Sequence, residues 1–148
     1  MTLEEKDLLL KDLCARLDTN LVCSIYRTDD EGVGYRDEIL HGYCKGDIWY
    51  EFYFREDCSI GIDNVSKIKP YLFPLSSMTE EQENEWTDLR LNPLGAILEG
   101  KFNGKEEHMQ LLSKSLSDPI QWCYKNNFDC NGLIPLGLAI DATNLNIY

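Results

Sequence analysis

The first apolar pattern in the chain predicts a helix over roughly residues 3–17. Thr2 and Glu5 have the T-x-x-E spacing of a capping box, in which each side chain accepts a hydrogen bond from the other residue's free backbone N–H. Polar residues such as Glu4, Lys11 and Asp12 fall off the apolar face, and the polar residues 18–20 end the element. The residues expected to face the core recur at helical spacing and comprise Leu3, Leu8, Leu9, Leu10, Leu13, Cys14 and Leu17.

Beyond Leu21 the apolar residues change to the two-residue repeat of β-strands. Four segments rich in β-branched and aromatic residues are predicted strands, over residues 21–27, 35–44, 47–54 and 58–62. Residues 28–34, which hold two glycines, are predicted as a turn. These strands predict an antiparallel meander, either open or curled into a small SH3-like barrel. In the third strand, alternation separates Ile48, Tyr50, Phe52 and Phe54 from Trp49, Glu51, Tyr53 and Arg55.

The stretch "KPYLFPLSSMTEEQ" at residues 69–82 predicts a crossover from the sheet into a helix. Pro70 and Pro74 disfavour helical geometry in the residues before them, and neither has an N–H to donate, which argues against a central strand. Thr79 and Gln82 have capping-box spacing, so a helix is expected from about residue 79. Tyr71, Leu72 and Phe73 are expected to pin this crossover onto the core.

The rest of the chain predicts two further helical segments and a final strand. Residues 92–106 hold three glycines and a proline and predict a hairpin or an irregular excursion, followed by a short helix over 106–114. Asp118 as N-cap and Pro119 at the first helical position predict another helix start. Residues 138–140, "LAI", are short and apolar and predict a final strand. Without repeats or linkers, we expect a single α+β domain over residues 1–148.

The net charge of the chain limits the kinds of molecule that it can bind. The chain has 26 acidic and 14 basic residues, a net charge of -12. Such a surface repels phosphate backbones, so direct nucleic-acid binding and binding to anionic membranes are disfavoured. The acidic excess is explained either by an ordinary solvated surface, which we favour, or by attraction to a protein partner with a basic surface. The start of the chain is acidic where a signal peptide is basic, and no apolar run reaches bilayer length, so we expect a cytoplasmic protein that makes no contact with membranes.

Residues for catalysis or cofactor binding are sparse. The chain has two histidines, His41 and His108, and six cysteines without close pairs, so neither a zinc site nor any other metal site is predicted. Phosphate-binding glycine motifs are also lacking, and no cofactor is predicted. A Cys44–His41 pair is disfavoured because a spacing of three on a strand places the two side chains on opposite faces.

The aromatic side chains provide the candidate binding surface, which consists of Trp49, Tyr53, Tyr71 and Phe73. Trp49 and Tyr53 share one face of the predicted strand over residues 47–54. If no helix covers that face, it forms an exposed aromatic patch of the kind that binds proteins. If a helix covers it, the same residues form a second core, which we favour because the predicted helices need apolar faces to pack on.

Three segments together resemble a group of small uncharacterised proteins that recur in gut anaerobic bacteria, their mobile elements and phages. The segments are "MTLEEKDLLLKDLCARL", "VSKIKPYLFPLSSMTEEQ" and "DPIQWCYKNNFDCNGLIPLGLAID", about half of the chain. The resemblance implies a cytoplasmic accessory protein, and it assigns no catalytic residue.

Three functions are therefore considered. The first is a non-enzymatic accessory or regulatory protein that acts through protein–protein interaction. The second is a small-ligand binder or a cysteine-dependent enzyme with a site beside the sheet, using Cys44 or Cys58 with His41. The third is an acidic mimic of nucleic acid that inhibits a host defence protein.

Overall fold

The protein has three α-helices and seven strands in a computed structural model that describes residues 1–29, 32–45, 50–55 and 58–148. Within these ranges, the side chains of residues 29, 44, 45, 50, 55, 58, 62 and 63 lie outside the description. Two short 3₁₀ helices, Ile62–Lys67 and Leu75–Ser77, flank the sixth strand. The main elements are α1 (Leu3–Ala15), β1 (Val22–Asp29), β2 (Gly32–Ile39), β3 (Gly42–Lys45), β4 (Tyr50–Arg55), β5 (Cys58–Gly61), β6 (Ile68–Leu72), α2 (Glu80–Leu98), α3 (Gly104–Lys125) and β7 (Ile140–Asp141).

The α+β fold class is confirmed, but the described strands do not close into an SH3-like barrel. They form two sheets, one in the order β2-β1-β6-β7 and one in the order β3-β4-β5. The chain changes sheets at two adjacent residues. The N–H of Leu40 donates to the carbonyl of Leu21 beside the first sheet, and the N–H of His41 donates to the carbonyl of Tyr53 in the second. The meander therefore bends at this corner and divides into two ladders.

The expectation that residues 69–73 avoid a central strand position is wrong. β6 lies between β1 and β7, with Pro70 opposite Cys23 of β1. The parallel ladder to β7 begins only at Tyr71, which is opposite Ile140. No residue of the short β7 is paired with Pro70. The missing N–H of the proline therefore removes no hydrogen bond from the ladder between β6 and β7. Tyr71 and Leu72 are buried, so they do pin this segment onto the core.

The N-terminal helix forms as predicted, but its buried face differs from the predicted stripe. Thr2 and Glu5 make both hydrogen bonds of the capping box. Leu3 and Cys14 are exposed, whereas Asp12, expected on the outside, is buried. The inward face is shifted because the helix packs around a buried ion pair. Leu9 and Leu13 join the main core, whose largest members are Leu9, Leu13, Leu21, Ile25, Leu40, Phe52, Phe54, Val65, Ile68, Leu72 and Leu133.

The described part of β4 confirms the predicted alternation. Phe52 and Phe54 are fully buried, and Glu51 and Tyr53 on the other face are half-buried. Ile48 and Trp49 lie outside the described residues. The two-residue pleat therefore sorts these side chains as expected.

Arg16 and Asp12 form a fully buried ion pair that joins α1 to the C-terminal part of the chain. The Arg16 Nε donates to Asp12 Oδ2 at 2.7 Å, and its Nη2 donates to Asp12 Oδ1 at 3.1 Å and to the carbonyl of Phe128 at 2.7 Å. Its Nη1 donates to the carbonyl of Tyr124 at 3.3 Å, and the guanidinium lies 4.9 Å from the Tyr124 ring centroid. The Asn131 amide completes the network by donating to Asp12 Oδ1. The charges are therefore paired, and most of their polar atoms are bonded, as burial requires.

The helices α2 and α3 are longer than predicted. The predicted change to irregular structure at residue 92 and the predicted helix start at Asp118 are both wrong. α2 begins at the predicted capping box of Thr79 and Gln82 but continues through Pro93 to Leu98, so residues 92–98 are helical rather than irregular. α3 is continuous from Gly104 to Lys125, so Asp118 is not an N-cap and Pro119 lies inside the helix. Each helix supports the other along its length, and this packing outweighs the local cost of a proline.

The base of this helical hairpin is a second apolar cluster, which we call the base cluster. α3 ends with Asn127 at a φ of 56°, where the N–H of Phe128 donates to the carbonyl of Cys123, an arrangement typical of a Schellman C-cap. This turn brings Phe128 beside Phe73 in a short parallel bridge. The buried residues of the base cluster are Trp122, Cys123 and Phe128, and Phe73, Met78, Trp86, Leu89 and Cys130 pack against them.

Substitution of Arg16 is expected to be severely destabilising. Arg16→Met leaves the buried Asp12 carboxylate without its counter-ion and two carbonyls without donors, so the free energy of unfolding should fall by about 3–5 kcal/mol. The matched control is Lys11→Met, which removes a Lys11–Asp7 pair in which both side chains are largely exposed. That change should cost no more than about 1 kcal/mol. Urea unfolding measures both, and equal losses would contradict a buried role for Arg16.

Removal of the proline inside α2 is expected to stabilise the protein. Pro93→Ala restores an N–H that can bond to the carbonyl of Leu89, and should raise the free energy of unfolding by about 1–3 kcal/mol. Pro135→Ala, at an exposed turn position, is the control and should give no gain. Thermal unfolding measures the difference. If Pro93→Ala brings no gain, the helix is interrupted near Asn92 in solution.

Candidate interaction surfaces

The four residues predicted to bind a partner are not brought together as one patch within the described residues. Trp49 lies outside the description. Tyr53 is half-buried on β4 of the second sheet, and Tyr71, which is 8% exposed, lies on β6 of the first sheet. Phe73 is half-buried with its ring centroid 5.6 Å from that of Tyr148. A binding role for these residues stays a prediction.

Tyr71 is held by polar contacts on the outer side of the first sheet. Its hydroxyl donates to Asp37 Oδ1 at 2.8 Å, and its carbonyl accepts from the Tyr148 hydroxyl at 2.6 Å. Burial, together with the hydrogen bond to the Asp37 carboxylate, raises the pKa of Tyr71. These contacts make Tyr71 a cross-strand support for β2, with little of its own surface available to a partner.

The hypothesis of a cysteine-dependent enzyme that uses a histidine concerns mainly side chains that the structure does not describe. His41 is exposed at the corner between the two sheets, but the side chains of Cys44 and Cys58 lie outside the description. Cysteine catalysis at that place therefore stays a hypothesis. Elsewhere, Cys23 is buried in the main core, and burial raises its pKa strongly. His108 stacks on Phe102 with ring centroids 4.7 Å apart.

Two further thiols meet in the base cluster. A hydrogen bond between them lowers the pKa of Cys123 and raises that of Cys130. The apolar side chains packed around the pair are aromatic or aliphatic residues and Met78. The buried ion pair also acts on the thiols, since Arg16 lowers the pKa of both and Asp12 raises the pKa of Cys130.

The described clefts and side chains offer little chemistry. A cleft of about 390 Å³ between α1, β6 and residues 136–138 is lined by apolar side chains together with the polar residues Glu5, Ser66 and Lys69. Within the described ranges, no group of three or more His, Cys, Asp or Glu side chains is placed to hold a metal ion.

None of the three helices, over the residues described, combines the length and apolar character needed to span a bilayer.

An exposed, partly apolar edge strand is the strongest candidate site in the sheets. β2 pairs with β1 over eight residues from Val22–Ile39 to Asp29–Gly32, and β1 is its only ladder partner among the described strands. Tyr35 is 65% exposed and packs edge-to-face on Tyr26 across the ladder, with centroids 5.1 Å apart. The side chains of alternate residues lie on this exposed outer face, and we call Val33, Tyr35, Asp37 and Ile39 the β2 edge.

The backbone of the β2 edge is directed away from β1. Two residues connect Asp29 to Gly32, so this pair is expected to be the hydrogen-bonded pair that closes a hairpin. Pairs then alternate along the ladder, and the Leu40 N–H bonded to the Leu21 carbonyl agrees with this register. The N–H and C=O groups of Val33, Tyr35, Asp37 and Ile39 consequently point to the open side, where an added strand would bind.

Sequence reasoning missed this edge because residues 28–34 were assigned to a turn. β1 instead runs to Asp29 and β2 starts at Gly32. The alternating apolar residues Val33, Tyr35 and Ile39 contained the signal. Gly34 and the charged residues 36–38 lie between them and make the alternation harder to recognise.

Comparison of the chain with protein-family models, with curated protein sequences and with solved structures gives no significant match. The assignment of a function therefore depends on the surfaces described above.

Proposed function

We propose that this protein is a non-enzymatic accessory or regulatory protein that acts by binding another protein, and that the partner adds an extended segment to the β2 edge. The observation that supports this proposal is an eight-residue edge strand that carries exposed Val33, Tyr35 and Ile39 and runs without a bulge or a proline. A bulge and a proline are two of the devices that protect natural edge strands, and an edge strand without them can serve as a template for another strand.

Two kinds of contact would hold the added strand. The outward N–H and C=O groups of the β2 edge would supply main-chain hydrogen bonds, which give affinity without selecting a sequence. Val33, Tyr35 and Ile39 would then contact alternate side chains of the partner, each pair contributing about 0.2–1 kcal/mol. The Tyr26 ring packed against Tyr35 and the Tyr71 hydroxyl bonded to Asp37 hold this face in place before binding.

The charge of the chain favours a partner segment with basic residues. The net charge is -12, and Asp37 is exposed on the β2 edge. Lysine and arginine side chains of the partner would be attracted to this acidic surface and would accelerate association. The cytoplasmic, phage- or mobile-element-associated setting implied by the resemblance is part of this proposal. No observation on the described residues favours the enzymatic or the nucleic-acid-mimic alternative.

A defined peptide tests the proposal. A ten-residue peptide that alternates valine and lysine should bind, whereas the same peptide with glutamate in place of lysine should bind at least about tenfold more weakly. Fluorescence anisotropy measures both affinities. Hydrogen exchange should slow at the amides of Val33, Tyr35, Asp37 and Ile39 when the lysine peptide is bound.

Paired substitutions locate the peptide on the protein. The double variant Val33→Ser/Tyr35→Ser should weaken binding about tenfold, because two cross-strand side-chain contacts are lost. Leu136→Ser, at another exposed apolar position, is the control and should bind like the wild type. Equal binding by both variants, or exchange that slows elsewhere, would remove the β2 edge from the proposal.

A further inference from the structure

The base cluster contains two cysteines that meet across the turn after α3. Cys123 is buried in the last turn of the helix, and Cys130 lies half-buried beyond the turn and packs on the same cluster. The N–H of Phe128 donates to the carbonyl of Cys123 at 2.8 Å, and the N–H of Cys130 donates to the carbonyl of Phe128 at 3.0 Å. The chain is thereby folded back over the helix end, and the two thiols share a hydrogen bond.

The direction of that hydrogen bond distinguishes the two thiols. The S–H of Cys130 donates and the sulfur of Cys123 accepts, which lowers the pKa of Cys123 and raises that of Cys130. The thiolate is the reactive form of cysteine. Cys123 is therefore the nucleophile of the pair, and Cys130 is the thiol that keeps its proton.

Trp86 supplies a second hydrogen-bond donor to Cys123. Among the described residues, its buried indole Nε1 has no oxygen or nitrogen acceptor. The N–H is directed instead at the sulfur of Cys123 and lowers the pKa of that thiol. A thiol is a weak acceptor, and a buried donor without a good acceptor costs free energy. A thiolate at Cys123 would satisfy the indole N–H, because charged acceptors form stronger hydrogen bonds.

The buried ion pair brings charge to the same turn. Arg16 donates to the carbonyl of Phe128 at 2.7 Å, two residues before Cys130, and its guanidinium lowers the pKa of both thiols. Asp12 acts in the opposite sense and raises the pKa of Cys130. The charges therefore also favour Cys123 as the thiolate and Cys130 as the protonated partner.

The burial of Cys123 limits the size of a molecule that can reach it. Its side chain is 1% exposed, whereas Cys130 beside it is half-buried. On another side, Met78 and Trp86 of the base cluster also line a cleft of about 360 Å³. An oxidant close to water in size can pass beside these side chains with small movements, and a bulky disulfide cannot.

We propose that Cys123 and Cys130 form a redox modification site, in which a peroxide oxidises Cys123 and Cys130 converts the product into an intramolecular disulfide. The Cys123 thiolate attacks one oxygen of hydrogen peroxide, the O–O bond breaks, and the other oxygen leaves as hydroxide, which takes up the proton that Cys123 released. The Cys130 thiol then attacks the sulfur of the resulting sulfenic acid, and its proton leaves with the hydroxyl group as a second water. Two electrons pass from the two sulfurs to the peroxide. This inference is independent of strand addition at the β2 edge.

The disulfide would also affect the junction between α1 and the hairpin of α2 and α3. It closes the loop of residues 123–130, which contains both carbonyls that Arg16 bonds. Oxidation would therefore restrict the turn that Arg16 holds, and reduction would release it.

Mass spectrometry after limited treatment with hydrogen peroxide tests the proposal. Trypsin cleaves after Lys125, so the disulfide should join the fragments of residues 115–125 and 126–148, and dithiothreitol should separate them. Exposed Cys14 is an internal control, because partial desolvation raises its pKa. The linked fragments should appear before Cys14 is oxidised. Oxidised glutathione at the same concentration should link them at least about tenfold more slowly, because it is too large to reach Cys123.

Three variants separate the roles of the residues. Cys130→Ser should stop at a sulfenic acid on Cys123, which dimedone traps, and Cys123→Ser should give no such adduct at Cys130. Trp86→Phe removes the indole donor and should slow linkage about threefold at pH 7. A rise of about one unit in the pKa of Cys123 lowers the thiolate fraction about tenfold and raises its nucleophilicity about threefold. The difference should disappear at high pH, where Cys123 is ionised in both proteins.

The wild-type experiment needs no substitution, and circular dichroism checks that the variants are folded. Fragments that stay unlinked after peroxide treatment would overturn the proposal, and so would oxidation of Cys14 ahead of the pair. A sulfenic acid trapped on Cys130 in place of Cys123 would contradict the assigned roles.

Discussion

The buried ion pair of Asp12 and Arg16 constrains how the two ends of the chain meet. Both side chains are fully buried, so their charges must be satisfied by each other and by neighbouring polar groups. Arg16 meets this requirement with carbonyls of Tyr124 and Phe128, and Asp12 with the Asn131 amide. Because these bonds are directional, α1 cannot shift along the C-terminal segment without leaving a buried charge exposed to apolar surroundings. The Phe128 turn placed in this way packs on Phe73, and so connects α1, β6 and the hairpin base.

This connection joins two parts of the molecule that pack differently, the sheets with α1 and the hairpin of α2 and α3. The sheets and α1 share the main core, in which Phe52, Phe54 and Leu13 are fully buried. The hairpin of α2 and α3 packs chiefly on itself and reaches the rest of the molecule through the base cluster. Large apolar side chains therefore remain exposed at the β2 edge and on α2 and α3. The β2 edge also has backbone groups that point away from β1.

Elements with strong local signals were predicted well. The capping boxes of Thr2 and Thr79 place the starts of α1 and α2, because the bonds that form them lie within three residues. Alternation around Phe52 and Phe54 likewise follows from the pleat alone. The prolines led to wrong predictions for helices and for a strand. Pro93 and Pro119 lie inside helices and Pro70 lies inside a central strand, because packing partners outweighed local preference. Within the described residues the structure does not bring Tyr53, Tyr71 and Phe73 together as one patch, because the position and exposure of a strand face depend on how the sheets pack.

By itself the sequence determined the α+β fold class, the first helix, the presence of a strand-rich region after it and the acidic composition. These properties depend on neighbours a few residues apart and on composition. Tertiary structure alone decided that Asp12 is buried, since its partners Arg16 and Asn131 are 4 and 119 residues away. It also decided that two ladders form in place of a barrel, and which apolar residues stay uncovered. The physical reason is that burial and edge exposure belong to the packed arrangement, in which distant segments compete for the same surface.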